Sequence, residues 1–95
     1  MKLVYHPQAK EDLRQTTKYY AQINYDLGNN LKLLFHEAAL HISDNPFRYR
    51  VVRDDIRKCS MKRFPYAIYF RLQEDTVQIL VVKHHRRHPD FGMNR

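Results

Sequence analysis

Residues 62–89, KRFPYAIYFRLQEDTVQILVVKHHRRHP, hold the only stretch of this 95-residue chain that is apolar enough to form the centre of a sheet. Strands are predicted over Tyr66–Leu72 and Val77–Lys83, and the polar residues 73–76 between them predict a hairpin turn. The second strand leads directly into the densest cluster of basic and imidazole side chains: His84, His85, Arg86, Arg87 and His88. We therefore place the function where the sheet meets this cluster.

The apolar pattern of these two strands predicts their positions in the sheet. Tyr66–Leu72 alternates between two sets of side chains, as the two faces of a strand do. Val77–Lys83 is nearly all apolar, which is typical of a central strand covered on both faces. Pro65 precedes the first strand and cannot donate a hydrogen bond to a ladder, so it predicts a bulge or bend.

Two helices are predicted upstream. The first runs from about Gln8 to Asn24, after a strand candidate at Lys2–His6. The break between the helices is expected within Tyr25–Asn30, around Gly28, with one of the two asparagines at 29 and 30 as the cap of the second helix. That second helix is expected to end near Ser43, because the residue before Pro46 is pushed out of helical geometry.

Two further strand candidates, Arg50–Arg53 and Ile56–Arg63, complete the chain. The predicted fold class is α+β in the order β-α-α-β-β-β, with an N-terminal helical hairpin packed on a mostly antiparallel, twisted sheet. At this length we expect one domain, residues 1–95.

The charge of the chain is unevenly distributed. The formal net charge is +7; residues 1–45 carry five Lys or Arg and five Asp or Glu, whereas residues 46–95 carry 12 and five. The whole excess therefore lies in the second half, which favours an anionic partner, either nucleic acid or an acidic protein segment. A basic domain without a nucleic-acid role remains the alternative.

The single cysteine, Cys59, excludes an internal disulfide framework and lies in a strand-like run, where a buried small apolar side chain is expected. The N-terminus has no apolar signal region, and no stretch approaches the ~18 apolar residues of a membrane span. We expect a cytoplasmic protein with no membrane partner.

Particular residues recur along the predicted elements. They are Ala9, Asp12, Leu13 and Tyr20, then Gly28, Ile42 and Pro46, the run Arg63-Phe64-Pro65-Tyr66 with Ile68 and Tyr69, and the block His84-x-Arg86-Arg87-x-Pro89 followed by Phe91 and Arg95. Taken with the order of the elements, these residues resemble the RelE/ParE superfamily of bacterial toxin–antitoxin toxins. The C-terminal block looks more like the ParE branch, although the family often has tryptophan where Phe91 stands.

The resemblance to the ParE branch implies a toxin that poisons DNA gyrase by binding the enzyme or its DNA complex. It also implies a cognate antitoxin, which would present an acidic, partly apolar tail. The target-binding residues expected from it are Arg63, Tyr66, His84, Arg86, Arg87, Phe91 and Arg95. Among them, arginines supply charge and Phe91 supplies an apolar anchor.

The RelE branch implies the alternative, a metal-independent endoribonuclease that cleaves mRNA on the ribosome. His84 would transfer protons, while Arg63 and Arg87 would stabilise the phosphorane charge. The RelE branch typically has a tyrosine near the C-terminus, whereas this chain has none after Tyr69, which weakens that interpretation. We expect no cofactor and no metal, because the histidines lack a cysteine or a carboxylate pair beside them.

Overall fold

The computed structural model describes residues 1–95. The elements are β1 (Lys2–Tyr5), α1 (Pro7–Ile23), α2 (Tyr25–Asp44), a short 3₁₀ helix (Pro46–Arg48), β2 (Val51–Arg53), β3 (Ile56–Ser60), β4 (Tyr66–Gln73) and β5 (Thr76–His84). The five strands form one sheet in the order β1-β5-β4-β3-β2, with β1 parallel to β5 and every other pair antiparallel. The α+β fold class is confirmed. The strand candidate Arg50–Arg53 forms β2, so the sheet has five strands instead of the four in the predicted order. No helix is both long and apolar enough to cross a membrane.

The break between the helices lies at Asn24, so its predicted position within Tyr25–Asn30 is wrong. The Asn24 side chain accepts hydrogen bonds from the backbone N–H groups of Asp26 (2.9 Å) and Leu27 (3.3 Å), which makes it the N-cap of α2. Gly28 lies inside α2 instead of in a loop. A Cβ placed on it would lie 2.7 Å from the Cβ of Ala21, so this glycine allows the two helices to approach closely.

The main core lies between the helical hairpin and one face of the sheet, which we call the helix face. Leu31, Phe35 and Ile42 of α2 pack there against the sheet, together with Ala9 of α1 and Phe70 of β4. A second, smaller core lies on the opposite face, which we call the outer face, and its members are Ile56, Leu80, Val81 and Met93. Strand β5 contributes to both cores, which confirms the prediction that it is covered on both faces.

The strand before Pro65 is shorter than predicted. Strand β3 ends at Ser60 instead of Arg63, and residues 61–65 turn back into β4. Arg63 has a φ of 69°, in the left-handed region that tight turns use. The bulge or bend predicted at Pro65 is therefore a turn. The β-bulge of this part of the sheet lies in β5, opposite Tyr69 and Phe70 of β4. Cys59 is buried as expected, and burial raises the pKa of its thiol.

Candidate functional site

Residues 85–95, which we call the C-terminal segment, cross the outer face of the sheet. Met93 is buried in the second core, and Phe91 packs against the same core from its edge. The basic cluster of the sequence is thus the start of a segment that folds back over the strand it follows.

A β-bulge creates the apolar patch under this segment. Tyr69 pairs with Val81 and the next residue, Phe70, pairs with Ile79, so Leu80 is the extra residue of β5. Leu80 and Val81 consequently belong to the same outer core, although neighbouring residues of a regular strand point to opposite faces. Without the bulge the C-terminal segment would have less apolar surface to cover.

The end of the segment is held by an ion pair with α1. Arg95 donates from Nη1 to Asp12 Oδ2 (2.6 Å) and from Nη2 to Asp12 Oδ1 (3.2 Å). The same two side chains also form hydrogen bonds with the backbone of β5, at the residues that β1 no longer pairs with. Asp12 Oδ2 accepts from the Val82 N–H (3.1 Å), and Arg95 Nη1 donates to the Leu80 carbonyl (2.9 Å). The side chains of Arg95, a predicted target-binding residue, and of Asp12 are only 9% and 12% exposed, so most of the surface of this ion pair is buried within the protein.

The middle of the segment is held by Lys83. Its ammonium donates to the carbonyls of His88 (3.3 Å), Pro89 (2.8 Å) and Phe91 (3.0 Å) and lies 4.8 Å from the centre of the Tyr69 ring. Burial, followed by the nearby Arg53 charge, lowers the pKa of Lys83.

Asp90 pairs with Arg53 of β2 rather than with the two arginines that precede it in the sequence. The hydrogen bond from the Arg53 guanidinium is the main cause that lowers the pKa of the Asp90 carboxyl. This contact joins the segment to the far edge of the sheet.

Arg86 and Arg87 are exposed and form no ion pair. The Arg87 guanidinium lies 3.9 Å from the centre of the Phe91 ring, and that of Arg95 lies 5.2 Å from it. Phe91 is half-buried, so it anchors the segment to the sheet while supporting Arg87 through a cation–π contact.

His84 and Tyr66 lie together on the helix face of the sheet. They are cross-strand partners whose ring centres are 5.1 Å apart, and Tyr66 also contacts Tyr20 of α1. Burial and the neighbouring Tyr20 raise the pKa of Tyr66. His84 Nδ1 accepts the backbone N–H of Arg86 at 3.0 Å, so this histidine shapes the first turn of the segment.

Arg63 is exposed in the turn between β3 and β4. That turn is tied to the end of β5, because the N–H of His85 donates to the carbonyl of Pro65 (2.9 Å). No hydrogen bond joins the side chains of Arg63, His84 and Arg87, the residues of the nuclease alternative. No group of three or more histidine, cysteine or acidic side chains is arranged to hold a metal ion.

Three residues that shape the site were missed by the sequence reasoning: Asp12 as an ion-pair partner, Arg53 as the partner of Asp90, and Lys83 as a buried anchor. For Lys83 the signal was present, since it is a lone charge at the end of an apolar run. The other two depend on contacts distant in the sequence.

Comparisons with known proteins bear on the family and the fold. The profile of a family described as the ParE toxin of the type II toxin-antitoxin system parDE matches residues 3–89. A solved structure of a chromosomal ParDE toxin–antitoxin system from P. aeruginosa superposes with a TM-score of 0.78 at 17% identity, covering 88% of this chain and 95% of that one. At that identity the likeness shows the fold alone. A comparison with curated proteins returned no significant match. The family match covers nearly the whole chain, and the protein therefore belongs to the ParE toxin family of type II toxin–antitoxin systems.

Proposed function

We propose that this toxin binds DNA gyrase and traps the cleaved DNA complex of that enzyme, with no covalent chemistry of its own. The observation that carries the proposal is the state of the charges in the C-terminal segment. Asp90 and Arg95 are neutralised by Arg53 and Asp12, whereas Arg86 and Arg87 remain exposed and unpaired. The segment thus presents two adjacent guanidinium groups on an anchored backbone.

Such a pair suits an anionic target. A guanidinium offers a planar fork of donors that matches phosphate and carboxylate, and it stays charged at every physiological pH. Because the backbone around the pair is already held, little conformational freedom of the segment is lost on binding. The cleaved DNA and the acidic side chains of gyrase would both supply groups of the required charge. Since gyrase acts on chromosomal DNA, we place this protein in the cytoplasm.

Purified gyrase tests the proposal directly. Supercoiled plasmid is incubated with gyrase and ATP, with and without the toxin, and linear DNA is scored after detergent and protease. We expect linear DNA to accumulate with the toxin. No linear DNA at a large molar excess of folded toxin would contradict the proposal. Cleaved transcripts in a parallel reaction with ribosomes would instead support the RelE-like endoribonuclease.

We further propose that the cognate antitoxin binds an apolar groove beside β1. The groove has a volume of about 610 Å³ and is lined by Tyr5 of β1, Leu13 of α1, and Leu33 and Phe35 of α2. An apolar floor between two helices suits an amphipathic segment that folds on binding.

The rim of this groove carries the charge expected for an acidic partner. Lys10, Lys32 and His36 line the groove itself. A neighbouring cleft of about 360 Å³ shares Lys10 and Lys32 and adds Lys18, together with Arg14, whose charge is already paired with Glu11. The two clefts together fit a tail that places apolar side chains inward and carboxylates along its edges.

A further inference from the structure

Lys83 is the only charged side chain among the 21 buried residues of the protein, with 5% of its surface exposed. It follows Val81 and Val82 in β5, where an apolar residue would continue the strand equally well. Burying an ammonium group is costly unless each of its donors finds an acceptor. The structure meets that condition, because the three N–H donors of Lys83 have three carbonyl acceptors.

All three acceptors belong to residues 88–91 of the C-terminal segment, which has no strand or helix of its own. The other polar anchors of the segment act elsewhere. The His85 N–H, at the start of the segment, donates to the Pro65 carbonyl in the turn before β4. Arg53 binds the Asp90 side chain at the surface, and Asp12 binds Arg95 at the end of the chain. Only Lys83 binds the backbone at the point where the segment lies down on the sheet.

The segment contains two hydrogen-bonded turns, one that holds the exposed arginines and one at the backbone that Lys83 binds. The N–H of Arg87 donates to the carbonyl of His84 (2.9 Å), and the N–H of Phe91 donates to the carbonyl of His88 (2.9 Å). The first turn therefore spans the gap between the end of β5 and the backbone that Lys83 holds. Its two fixed ends restrain the backbone of Arg86 and Arg87.

We propose that Lys83 is a positioning residue, whose ammonium holds residues 88–91 on the sheet and thereby sets the direction in which Arg86 and Arg87 project. The effect of Lys83 on target binding rests on the proposed function of the arginine pair. The effect of Lys83 on the position of the segment can be tested without any target.

Limited trypsin digestion measures how firmly the segment is held. Although the Arg86 and Arg87 side chains are exposed, efficient cleavage after them requires the flanking backbone to leave the sheet and enter the protease in an extended form. Lys83→Met keeps a side chain of similar length and removes the three donors. We expect its cleavage after Arg86 and Arg87 to be about tenfold faster or more, with little change in the thermal midpoint, since unpaired carbonyls favour the open segment. Lys83→Arg, which retains charge and donors, should restore much of the protection.

Lys58→Met is the matched control, because Lys58 also lies over the Tyr69 ring on the outer face (5.9 Å) but donates to no carbonyl. We expect its cleavage rate to equal that of the wild type. Cleavage of Lys83→Met at the wild-type rate, or protection better than wild type, would overturn the proposal.

If Lys83→Met does not fold, hydrogen exchange of the wild-type protein decides. Protection of the Arg87 and Phe91 amides supports a held segment, and unprotected exchange of both overturns it. With gyrase, Lys83→Met should need at least about tenfold more toxin for half-maximal trapping. If wild-type toxin traps no cleaved DNA, the proposed function fails while the digestion result stands by itself.

Discussion

Arg95, the last residue of the chain, forms a two-bond ion pair with Asp12 in α1, across 83 positions of sequence. The pair closes the C-terminal segment onto the helical hairpin and satisfies the backbone of β5 where β1 no longer pairs with it. Arg95, one of the predicted target-binding residues, thus also fastens the C-terminal segment to α1.

The first prediction concerns this ion pair. Asp12→Ala leaves an almost buried guanidinium without its partner and removes the acceptor of the Val82 N–H. We expect the free energy of unfolding to fall by about 3 kcal/mol, measured by urea denaturation. Glu11→Ala is the matched control, since it breaks the neighbouring but exposed pair with Arg14, and we expect no measurable change. Equal effects of the two substitutions would contradict the structural role of Asp12.

The second prediction concerns the crossing of the helices. Alanine usually stabilises a helix relative to glycine, but a Cβ at position 28 would lie 2.7 Å from the Ala21 Cβ and 2.9 Å from its backbone. We expect Gly28→Ala to lower the free energy of unfolding by about 1–3 kcal/mol, because the helices would have to move apart. Ala21→Gly in the same chain should recover part of the loss. A Gly28→Ala protein more stable than the wild type would show that the helices separate easily.

The helix crossing also illustrates what the sequence can and cannot predict. The end of α2 at Asp44 and the strands around the Glu74 turn were predictable, because proline, turn residues and apolar alternation act locally. Asn24 and Gly28 are both residues that commonly end helices. Asn24 caps α2 through its own hydrogen bonds, whereas Gly28 lies inside the helix against Ala21, and this contact between two helices is not visible in a local sequence pattern.

The candidate site shows the same division. Local composition located the basic cluster and the exposed Arg86 and Arg87. It did not reveal the bulge at Leu80, since the bulge exists only relative to the partner strand β4. It did not predict the ion pair of Arg95 with Asp12, because that contact joins residues 83 positions apart in the sequence. The burial of Lys83 likewise depends on a segment that returns over the sheet.

The third prediction concerns the pH dependence of the C-terminal segment. The folded-state pKa of Asp90 is lowered, chiefly by its hydrogen bond from Arg53, so its carboxylate stabilises the closed segment. That contribution is fully present above the ordinary pKa of an aspartate, about 3.9, and is lost as the pH falls through the lowered value. We expect the exchange protection of the Phe91 amide to decrease below about pH 4 relative to amides of β4.

Two variants complete this pH test. In Asp90→Asn the Phe91 amide should be less protected from exchange, and its protection should no longer decrease below about pH 4 relative to amides of β4. Both proteins, with Asp90 and with Asp90→Asn, also carry His88→Asn in this comparison. His88 Nδ1 lies 3.9 Å from the Asp90 carboxylate, and a protonated imidazole would add a second charge there. An asparagine side chain can still accept the N–H of residue 90, as His88 does at 3.0 Å. An acid step of the same size in the Asp90→Asn protein would contradict the assignment.

The fourth prediction concerns the antitoxin groove. Leu33 is 66% exposed in the groove, whereas Leu40 of the same helix is 48% exposed and lies outside it. Leu33→Glu places a carboxylate against the acidic partner and should weaken antitoxin binding at least about tenfold, while Leu40→Glu should not. Wild-type affinity should also fall as salt rises above ~0.1 M, because exposed charges are then screened. Calorimetric titration measures both effects, and equal losses for the two variants would place the antitoxin elsewhere.

The fifth prediction concerns the exposed arginine pair. Arg86→Ala with Arg87→Ala removes two charges that pair with no acidic group of the protein, so the thermal midpoint should change little. Trapping of cleaved DNA by gyrase should require roughly tenfold more toxin or be lost, because the anchored segment would no longer present cations to an anionic target. Arg48→Ala with Arg50→Ala removes the same charge from exposed positions before β2 and should trap as the wild type does. Full trapping by the folded 86/87 variant would remove the pair from the target-binding surface. Equal losses in both double variants would mean that net charge acts, rather than the position of the segment.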